Sequence, residues 1–390
     1  MKVLHVSDAI DPSRGGGTAE RTFQLAVALR RAGMSCSILC TDLGLGSKRR
    51  AELKGVELIA VPTLLKRFLL PSISSKRIEQ LVAQSNLVHV TGHWSILGAR
   101  VCLAALRLGK PYVYCPAGSL RIFDRSAWLK RVYNLLVGYR VVRGAARCLA
   151  VTELEREQFH EYGVPDEHIV LLPNGVHPNP DIVPAPQAFR FKHGLQSKQI
   201  LLFLGRLSLI KGPDLLLEAF AAIAERYPLS VLVFAGPEEE LGAGLRLEVD
   251  RLGLAERVLF IGFIAGQDKQ DALAAADLLV VPSRQEAMSL VALEAGLCGT
   301  PVLLTDQCGF DEVEDSGGGV VVAVRADAIA AGIDRMLNAV DELPVRGEKL
   351  RQLVLTHYTW DGLTHQVCLL YEELAGAAHR LKHVNVSVQQ

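Results

Sequence analysis

Residues 200–220 read ILLFLGRLSLIKGPDLLLEAF, and this stretch contains the pattern that decides the fold. The apolar run at 200–204 predicts a buried strand, Gly205 marks the turn after it, and the residues from Asp214 onward predict a helix. Arg206 and Lys211 lie between strand and helix. Ligands of open α/β sheets gather at the carboxyl ends of strands, so these cations either neutralise a diphosphate without a metal or merely solvate a loop.

Strand-like runs alternate with helical patterns on both sides of this stretch, which is typical of parallel sheets covered by helices. Six runs fall in each half of the chain. They lie at residues 2–7, 35–40, 56–61, 87–90, 111–115, 148–151, 200–204, 230–235, 258–261, 278–281, 301–304 and 319–322. We therefore expect an α/β protein with two Rossmann-like domains that face each other across a cleft.

The chain has 390 residues, which is more than one hydrophobic core usually organises. Four prolines within residues 177–187 predict a linker, because proline continues neither a helix nor a central strand. We place a first domain at 1–178, a second at 179–355, a last amphipathic helix at 356–376 and a polar tail at 377–390.

The composition, 49% hydrophobic and 22% charged, fits a globular enzyme, and no apolar run approaches a membrane span. The amino terminus predicts a strand rather than a signal peptide. Eight cysteines are scattered without a Cys-x-x-Cys pair, so we expect neither disulfides nor a zinc site, and a cytoplasmic location.

Charge is divided unevenly although the net charge is zero. Residues 1–180 carry 24 Lys and Arg against 14 Asp and Glu, and the remainder carries 18 against 28. A basic half attracts phosphate, nucleic acid or an anionic membrane surface, or else the two halves attract each other. We do not expect nucleic acid as a partner, because the basic half lacks interleaved aromatics on a recognisable module.

A second constellation follows the predicted strand at 278–281, where residues 282–295 read PSRQEAMSLVALEA. A helix beginning near Met288 offers free backbone N–H groups to an anion. Glu294, about two turns further, could accept hydrogen bonds from a ribose, and Glu286 lies in the preceding loop where a sugar ring fits. The alternative is that both carboxylates belong to solvated surface.

A third constellation, DPSRGGGTAE at residues 11–20, follows the first strand. Gly15, Gly16 and Gly17 allow close approach of a ligand, and Thr18 is a candidate N-cap for a helix at 21–31. The spacing does not match G-x-G-x-x-G, so a nicotinamide site is not supported. A flexible surface turn is the alternative.

Residues 87–95, LVHVTGHWS, end a strand of the first half. His89 and Thr91 share one face of the strand, while His93 already lies in the loop. His89 is the better candidate for a core residue, and His93 could serve either role. The next strand ends in PAGSL at 116–120, which adds Gly118 and Ser119 at the same edge.

A basic segment occupies residues 121–147. Large apolar residues recur there at helical spacing, with cations between them. We expect this stripe to pack on the sheet, and the alternative is that the basic face rests on anionic lipid headgroups. The apolar positions are Trp128, Val132, Leu135, Leu136, Tyr139 and Val142.

Taken in order, these motifs resemble glycosyltransferase family 4, which has the GT-B fold, over nearly the whole chain. Four features of the family have counterparts here: its G-R-L/x-x-x-K-G turn, its P-S-x-x-E motif with a later Glu, its linker motif, and its terminal helix that returns to the first domain. The matching positions are Gly205, Arg206, Lys211, Gly212, Pro282, Ser283, Glu286, Glu294, Ala295, 152–153, 173–176, 299–302 and 360–374.

The resemblance implies a role for each matched position. Arg206 and Lys211 hold the donor diphosphate, Glu294 the ribose, and Glu286 with the backbone of Met288, Ser289 and Leu290 the transferred sugar. The loop of Gly15, Gly16 and Gly17 closes over the donor. Catalytic roles fall to Glu286, Arg206, Lys211 and His93, and the acceptor side to Thr91, His93, Gly118 and Ser119.

Two departures from the family pattern bear on which sugar fits. The usual His-x-His at the first-domain strand end has Thr91 in its second position, so His93 is a possible substitute. The common Gly-Phe-Gly after the first Glu is here Ala287, Met288 and Ser289.

The resemblance implies a retaining hexosyltransferase that needs no metal or other cofactor. It uses a nucleoside diphosphate sugar and a glycan or lipid-linked acceptor in cell-surface polysaccharide synthesis. We expect a cytoplasmic protein, peripheral on the inner face of the membrane. The alternatives are a nucleotide-sugar epimerase of the same fold and a non-catalytic nucleotide-sugar-binding protein. A glycan phosphorylase is disfavoured because no pyridoxal phosphate site is recognisable.

Overall fold

The computed structural model describes residues 1–53, 55–65, 70–122, 126–178 and 182–387. The chain forms two compact units. The first unit contains Met1–Gly175 and Trp360–Gln390, and the second contains Val176–Thr359. The division at Gly175 lies close to the domain boundary that we placed after residue 178.

The described residues of the first unit form nine strands. Seven form one parallel sheet, and two form a short antiparallel pair. The strands are β1 (Lys2–Val6), β2 (Ser35–Thr41), β3 (Glu57–Val61), β4 (Thr63–Leu65), β5 (Leu70–Pro71), β6 (Leu87–Thr91), β7 (Tyr112–Cys115), β8 (Arg147–Ala150) and β9 (Ile169–Leu171). The order in the sheet is β3-β2-β1-β6-β7-β8-β9. Strand order therefore reverses between β1 and β6.

In the second unit, the part of the chain that the structure describes forms one parallel sheet of six strands. These are β10 (Gln199–Leu204), β11 (Ser230–Ala235), β12 (Val258–Gly262), β13 (Leu278–Val281), β14 (Val302–Thr305) and β15 (Gly319–Val322). The order is β12-β11-β10-β13-β14-β15, the doubly wound arrangement in which ligands bind where strand order reverses. We call the β1/β6 and β10/β13 positions the first and second switch points.

All twelve predicted strands are present, which confirms the expected α/β class. Sequence reasoning missed β9 and the β4–β5 pair. Each of these strands has only two or three residues, too few to show a periodic pattern.

Sixteen α-helices occur among the described residues, and they connect the strands. They are α1 (Pro12–Arg31), α2 (Ser47–Ala51), α3 (Ser75–Ala83), α4 (Ile96–Arg107), α5 (Ala127–Tyr133), α6 (Tyr139–Arg143), α7 (Glu153–Glu161), α8 (Pro186–Lys192), α9 (Pro213–Ile223), α10 (Gly242–Arg251), α11 (Gln267–Ala275), α12 (Leu290–Leu297), α13 (Glu312–Asp315), α14 (Ala326–Leu337), α15 (Leu343–His357) and α16 (Trp360–Ser387). A π-helix, Asn134–Gly138, joins α5 to α6.

The helices follow from the apolar periodicity of the sequence. In α14, for example, Ile329, Ile333, Met336 and Leu337 recur at three- and four-residue spacing, and all are buried. This places one apolar face against the sheet of the second unit, where these residues join its core cluster. A separate buried cluster fills the first unit.

Two helix boundaries differ from the predictions. The range of α1 consists of two helical pieces that meet at a kink at Gly16, which has φ of 56°. The longer piece begins before residue 21 and already includes Thr18, so Thr18 is a helical residue and not the N-cap. α16 continues to Ser387 instead of ending near residue 376. Residues 361–387 contain no proline, and alanine, leucine, lysine and arginine within the predicted tail favour continued helix.

Helix α16 belongs to the first unit although it comes last in the chain. Trp360 is fully buried, and its indole N–H donates to Gln24 Oε1 on α1 at 2.9 Å. Tyr371 is also fully buried, and its hydroxyl contacts His89 Nδ1 on β6. The first unit therefore needs the end of the chain to complete its core.

The apolar stripe of the basic segment does not pack on the sheet as a whole, which corrects our expectation. Val142 is buried, but Trp128, Val132, Leu135 and Leu136 are exposed. No helix within the described residues is both long and apolar enough to span a bilayer.

Candidate functional site

The second switch point brings together two of the predicted constellations. β10 and β13 are paired neighbours, so their parallel strands release residues 205–212 and 282–289 at the same edge of the sheet. Arg284 joins the two loops, because its backbone N–H donates to Ile210 O at 2.7 Å and its guanidinium binds both carboxylate oxygens of Asp214 at 2.8 and 2.6 Å. The two loops are therefore fastened to each other.

Glycines permit this close packing. Gly212 has φ of 68°, and a Cβ there would lie 2.1 Å from Pro282 O. Gly236 has φ of 151°, and its Cβ would lie 1.9 Å from Gly205 O. Any larger residue at either position would push the backbones apart.

Lys211 and Glu286 form the central ion pair of this edge. Lys211 Nζ lies 2.8 Å from Glu286 Oε1, and the same oxygen accepts a hydrogen bond from Ser283 Oγ at 2.6 Å. The side chain of Glu286 is 8% exposed and that of Lys211 26%. A carboxylate this buried needs such partners, and the partly exposed ammonium is within reach of a ligand.

The start of α12 lies next to this pair in the chain and supplies a second anion-binding feature. Its first turn contains Leu290, Val291 and Ala292, whose N–H groups lack intrahelical partners. Ser289 precedes them; its Oγ is buried without a hydrogen-bond partner among the described residues. Its N–H donates to Cys308 O at 3.0 Å. The backbone N–H of Ser289, which we expected to contact the sugar, therefore already has a partner. The N–H groups of the first turn of α12 remain available to a ligand.

Arg206 lies in the loop after β10 but outside this ion pair. Its guanidinium approaches Glu239 Oε2 at 3.4 Å, and both side chains are substantially exposed. An exposed pair of this kind contributes little to stability, so exchanging Glu239 for a phosphate costs little.

Glu294 is also paired with a lysine. Its Oε1 lies 2.7 Å from Lys269 Nζ, which comes from the first turn of α11. We did not single out Lys269 or Arg284 from the sequence, because a cation in a loop or on a helix resembles any solvated charge. Their partners are 25 and 70 residues away, so no local pattern could reveal the pairs.

At the first switch point His93 lies in the loop after β6, as predicted, and its ring is buried. Its Nδ1 contacts Tyr114 OH and its Nε2 contacts Asn134 Oδ1, both at 2.7 Å. Burial lowers the pKa of His93 to about 4, against the opposing effect of the Asn134 hydrogen bond. The ring is therefore neutral at pH 7, and a catalytic contact would require these bonds to break.

The expected acceptor-side residues are likewise engaged internally. Thr91 is buried at the end of β6. Gly118 donates its N–H to Glu155 Oε1 at 2.6 Å, and Ser119 Oγ accepts the N–H of His93 at 2.9 Å. Burial raises the pKa of Glu155, although hydrogen bonds from Gly118 and Val151 oppose the shift. Sequence reasoning missed Glu155, whose role here is to hold the loop.

Asp8, directly after β1, is a further missed residue. Its Oδ1 accepts a hydrogen bond from Ser95 Oγ at 2.6 Å, and burial raises its pKa to about 6 against the effect of that bond. Nearby, Gly15 donates its N–H to Asp11 O at 2.8 Å. The three glycines thus lie at the kink between two helical pieces, and their contact with a donor stays a prediction.

Comparisons with known proteins show which families the two halves of the chain resemble. The family "Glycosyl transferases group 1" matches residues 186–350, and the family "Glycosyl transferase 4-like domain" matches residues 16–175. The second match ends at Gly175, where the first stretch of the first unit ends, and the first match lies entirely within the second unit.

Curated relatives carry transferase or synthase names. Mannosylfructose-phosphate synthase of Agrobacterium fabrum is 31% identical over 62% of this chain, but the match spans only 56% of that protein's length. D-inositol 3-phosphate glycosyltransferase of Gordonia bronchialis is 29% identical over 92% of this chain and 84% of its own.

Among solved structures, HepE of Anabaena in complex with UDP and glucose superposes with a TM-score of 0.78 and 19% identity, over 96% of this chain and all of that one. At this identity the likeness shows the fold alone. The architecture is that of the GT-B glycosyltransferases, as the sequence predicted.

Proposed function

The chain belongs to the group 1 glycosyl transferases, with a glycosyl transferase 4-like first domain, and from this premise we propose that it is a retaining hexosyltransferase. In this proposal it moves a hexose from a nucleoside diphosphate sugar to a glycan or lipid-linked acceptor during cell-surface polysaccharide synthesis. It does so without a metal ion.

The observation that carries the proposal is the pair of Lys211 and Glu286 beside the start of α12. A diphosphate at this edge meets an ammonium, the guanidinium of Arg206 and helix N–H groups. These donors act on charge that develops as the sugar–phosphate bond breaks, and such prearranged donors are usually the largest catalytic contribution.

Binding exchanges one set of charged contacts for another. Lys211 turns from Glu286 toward phosphate oxygens, and the released carboxylate accepts hydrogen bonds from sugar hydroxyls. Retention follows the family pattern, in which the departing phosphate accepts the proton of the attacking hydroxyl. The transfer then needs no nucleophilic side chain of the protein.

Glu294 is assigned to the ribose, with Lys269 fixing its orientation at 2.7 Å. The segment Gly15–Gly17 is assigned to the donor by family resemblance alone. Acceptor contacts through Thr91, Gly118 and Ser119 rest on their place at the end of β6 and β7.

Location is part of the proposal. The eight free cysteines fit a reducing compartment, and the excess of Lys and Arg in residues 1–180 favours contact with an anionic membrane surface. We therefore place the protein in the cytoplasm, peripheral on the inner face of the membrane.

A thermal-shift panel in EDTA tests the donor assignment. It contains UDP-, GDP-, ADP- and dTDP-sugars with their free nucleotides, and UDP-glucose comes first because HepE was solved with it. We expect a rise in Tm with one nucleotide family. No shift with any of them contradicts the donor site.

Lys211→Ala should abolish the shift, whereas the matched variant Lys192→Ala should keep it. Lys192 is an exposed lysine of the same unit, paired with Asp268 at 3.6 Å. Transfer assays then separate the reaction classes: a modified nucleotide sugar formed without acceptor would indicate the epimerase. Activity lost in EDTA and restored by manganese would contradict metal independence.

A further inference from the structure

The segment from α5 through the π-helix to α6 has an unusual outer face. Leu135 is 80% exposed, Leu136 75% and Trp128 66%. Single exposed apolar residues are normal on a protein surface, but a cluster of large ones indicates an interaction site. We name the outer stripe by its six exposed members: Trp128, Leu129, Val132, Leu135, Leu136 and Tyr139.

The inner face of the same segment is firmly anchored. Asn134 is buried; its Oδ1 contacts His93 Nε2 at 2.7 Å, and its Nδ2 donates to Tyr162 OH at 2.6 Å. Tyr133 OH donates to His93 O at 2.8 Å. A Cβ at Gly138 would lie 2.3 Å from Asn134 Oδ1, so glycine is required there. The outer stripe is therefore exposed on a fixed segment.

Charge within the segment that bears the outer stripe has one sign. Residues 126–152 contain five Lys and Arg and no Asp or Glu. Arg131 and Arg140 are exposed within the segment, and Lys130 Nζ lies 5.5 Å from the centre of the Trp94 ring. An apolar face with cations beside it matches the interfacial region of an anionic bilayer, where tryptophan and leucine enter the acyl boundary and cations meet phosphates.

We infer that the outer stripe inserts into the surface of a bilayer that contains anionic phospholipid. The inference deepens the membrane contact of the proposed function by naming its element, and it also gives His93 a role: holding the inserted segment from inside. A second copy of this chain fits less well, because a two-fold contact through the stripe would set equal basic groups against each other.

Sedimentation with vesicles tests this inference on the full chain. We expect binding to vesicles of phosphatidylcholine and phosphatidylglycerol, and much weaker binding to phosphatidylcholine alone. Leu135→Ser with Leu136→Ser should lower the partition coefficient by about tenfold or more, since two leucine side chains leave the acyl boundary. Leu247→Ser, which changes a leucine 71% exposed in the other unit, should leave it unchanged.

Two further variants distinguish the contribution of charge to vesicle binding from that of insertion into the bilayer. Arg131→Ser with Arg140→Ser should weaken binding and reduce its dependence on salt. Trp128→Phe should remove most of the blue shift of tryptophan fluorescence on vesicle addition, because the chain has only three tryptophans and Trp360 is buried.

Several outcomes would overturn the inference: no vesicle binding by the folded wild type, equal loss in Leu247→Ser, or a dimer in solution that the double leucine variant abolishes. Nucleotide thermal shifts run in parallel keep the two proposals apart. Vesicle binding without any nucleotide shift would defeat the donor assignment and leave this inference standing.

Discussion

The two switch points share one strand order but differ in the state of their polar groups. At the second, Lys211 and Glu286 are charged, paired and partly open to solvent. At the first, His93 and Thr91 are buried, and burial holds His93 neutral. The same topology thus presents a partly open ion pair at one sheet edge and a buried, hydrogen-bonded His93 at the other. The position of a residue at a sheet edge indicates where a ligand binds, and its partners decide whether it can.

The variant Glu286→Gln, at the second switch point, should have the largest effect on activity. The variant keeps the shape of the side chain and removes the charge that pairs with Lys211. We expect turnover of the donor found in the panel to fall by about 10²–10³-fold, with affinity for the free nucleotide kept or increased because Lys211 is released. Isothermal titration beside steady-state kinetics checks both parts. Loss of nucleotide binding in a folded variant would contradict separate phosphate and sugar roles.

Gly212→Ala tests the close packing at the second switch point. Its Cβ would meet Pro282 O at 2.1 Å, so we expect the free energy of unfolding to fall by about 3 kcal/mol. Gly253→Ala is the matched control: it has the same φ of 68°, but nothing lies within 4 Å, and about 1 kcal/mol should be lost. Urea unfolding measures both. Equal losses would mean that backbone strain alone matters and that the loops are not tightly packed.

His93→Gln tests whether the first switch point is a polar core. The folded-state pKa of about 4 lies below the ordinary histidine pKa of about 6.5, so unfolding takes up a proton at pH values between the two. Stability from this group is therefore complete above pH 6.5 and declines as pH falls toward 4. Between pH 7 and pH 5 the wild type should lose about 2 kcal/mol more than the variant.

The wild type and the His93→Gln variant must be measured side by side, because Asp8 changes stability with pH in the opposite direction to His93. Its raised pKa of about 6 makes stability rise as pH falls through that value, and the comparison cancels this contribution. Turnover of the folded His93→Gln variant at pH 7 should stay within about threefold of wild type. A hundredfold loss would restore His93 as a catalytic residue.

Lys269→Met gives the smallest expected effect. Without the ammonium, Glu294 loses the partner that orients it, and the Kd for the nucleotide should rise about tenfold. Lys269→Arg should recover much of the loss, and Lys192→Met serves as a control. An unchanged Kd would mean that Glu294 does not bind the ribose through this arrangement.

The fold was readable from the sequence because its strands are long apolar runs such as 200–204 and its turns are marked by glycine. Lys211 and Glu286 of the second switch point were also predicted, since motif spacing places them in the loops after strands. Lys269, Arg284, Asp8 and Glu155 were missed, as their significance lies in partners far away in the chain. The stripe at Trp128 and Leu135 was misjudged for a related reason: periodicity shows that residues share a face, but not what covers it.

The return of α16 to the first unit has a consequence for synthesis on the ribosome. The second unit is a single continuous stretch, Val176–Thr359, and is fully emerged before Trp360 and Tyr371 are available. The unit translated first must therefore wait, with the binding site of α16 uncovered, until Trp360 and Tyr371 have been made. During that interval it is the part of the nascent chain with most need of a chaperone, and the arrival of Trp360 and Tyr371, rather than of its own first 175 residues, completes its folding.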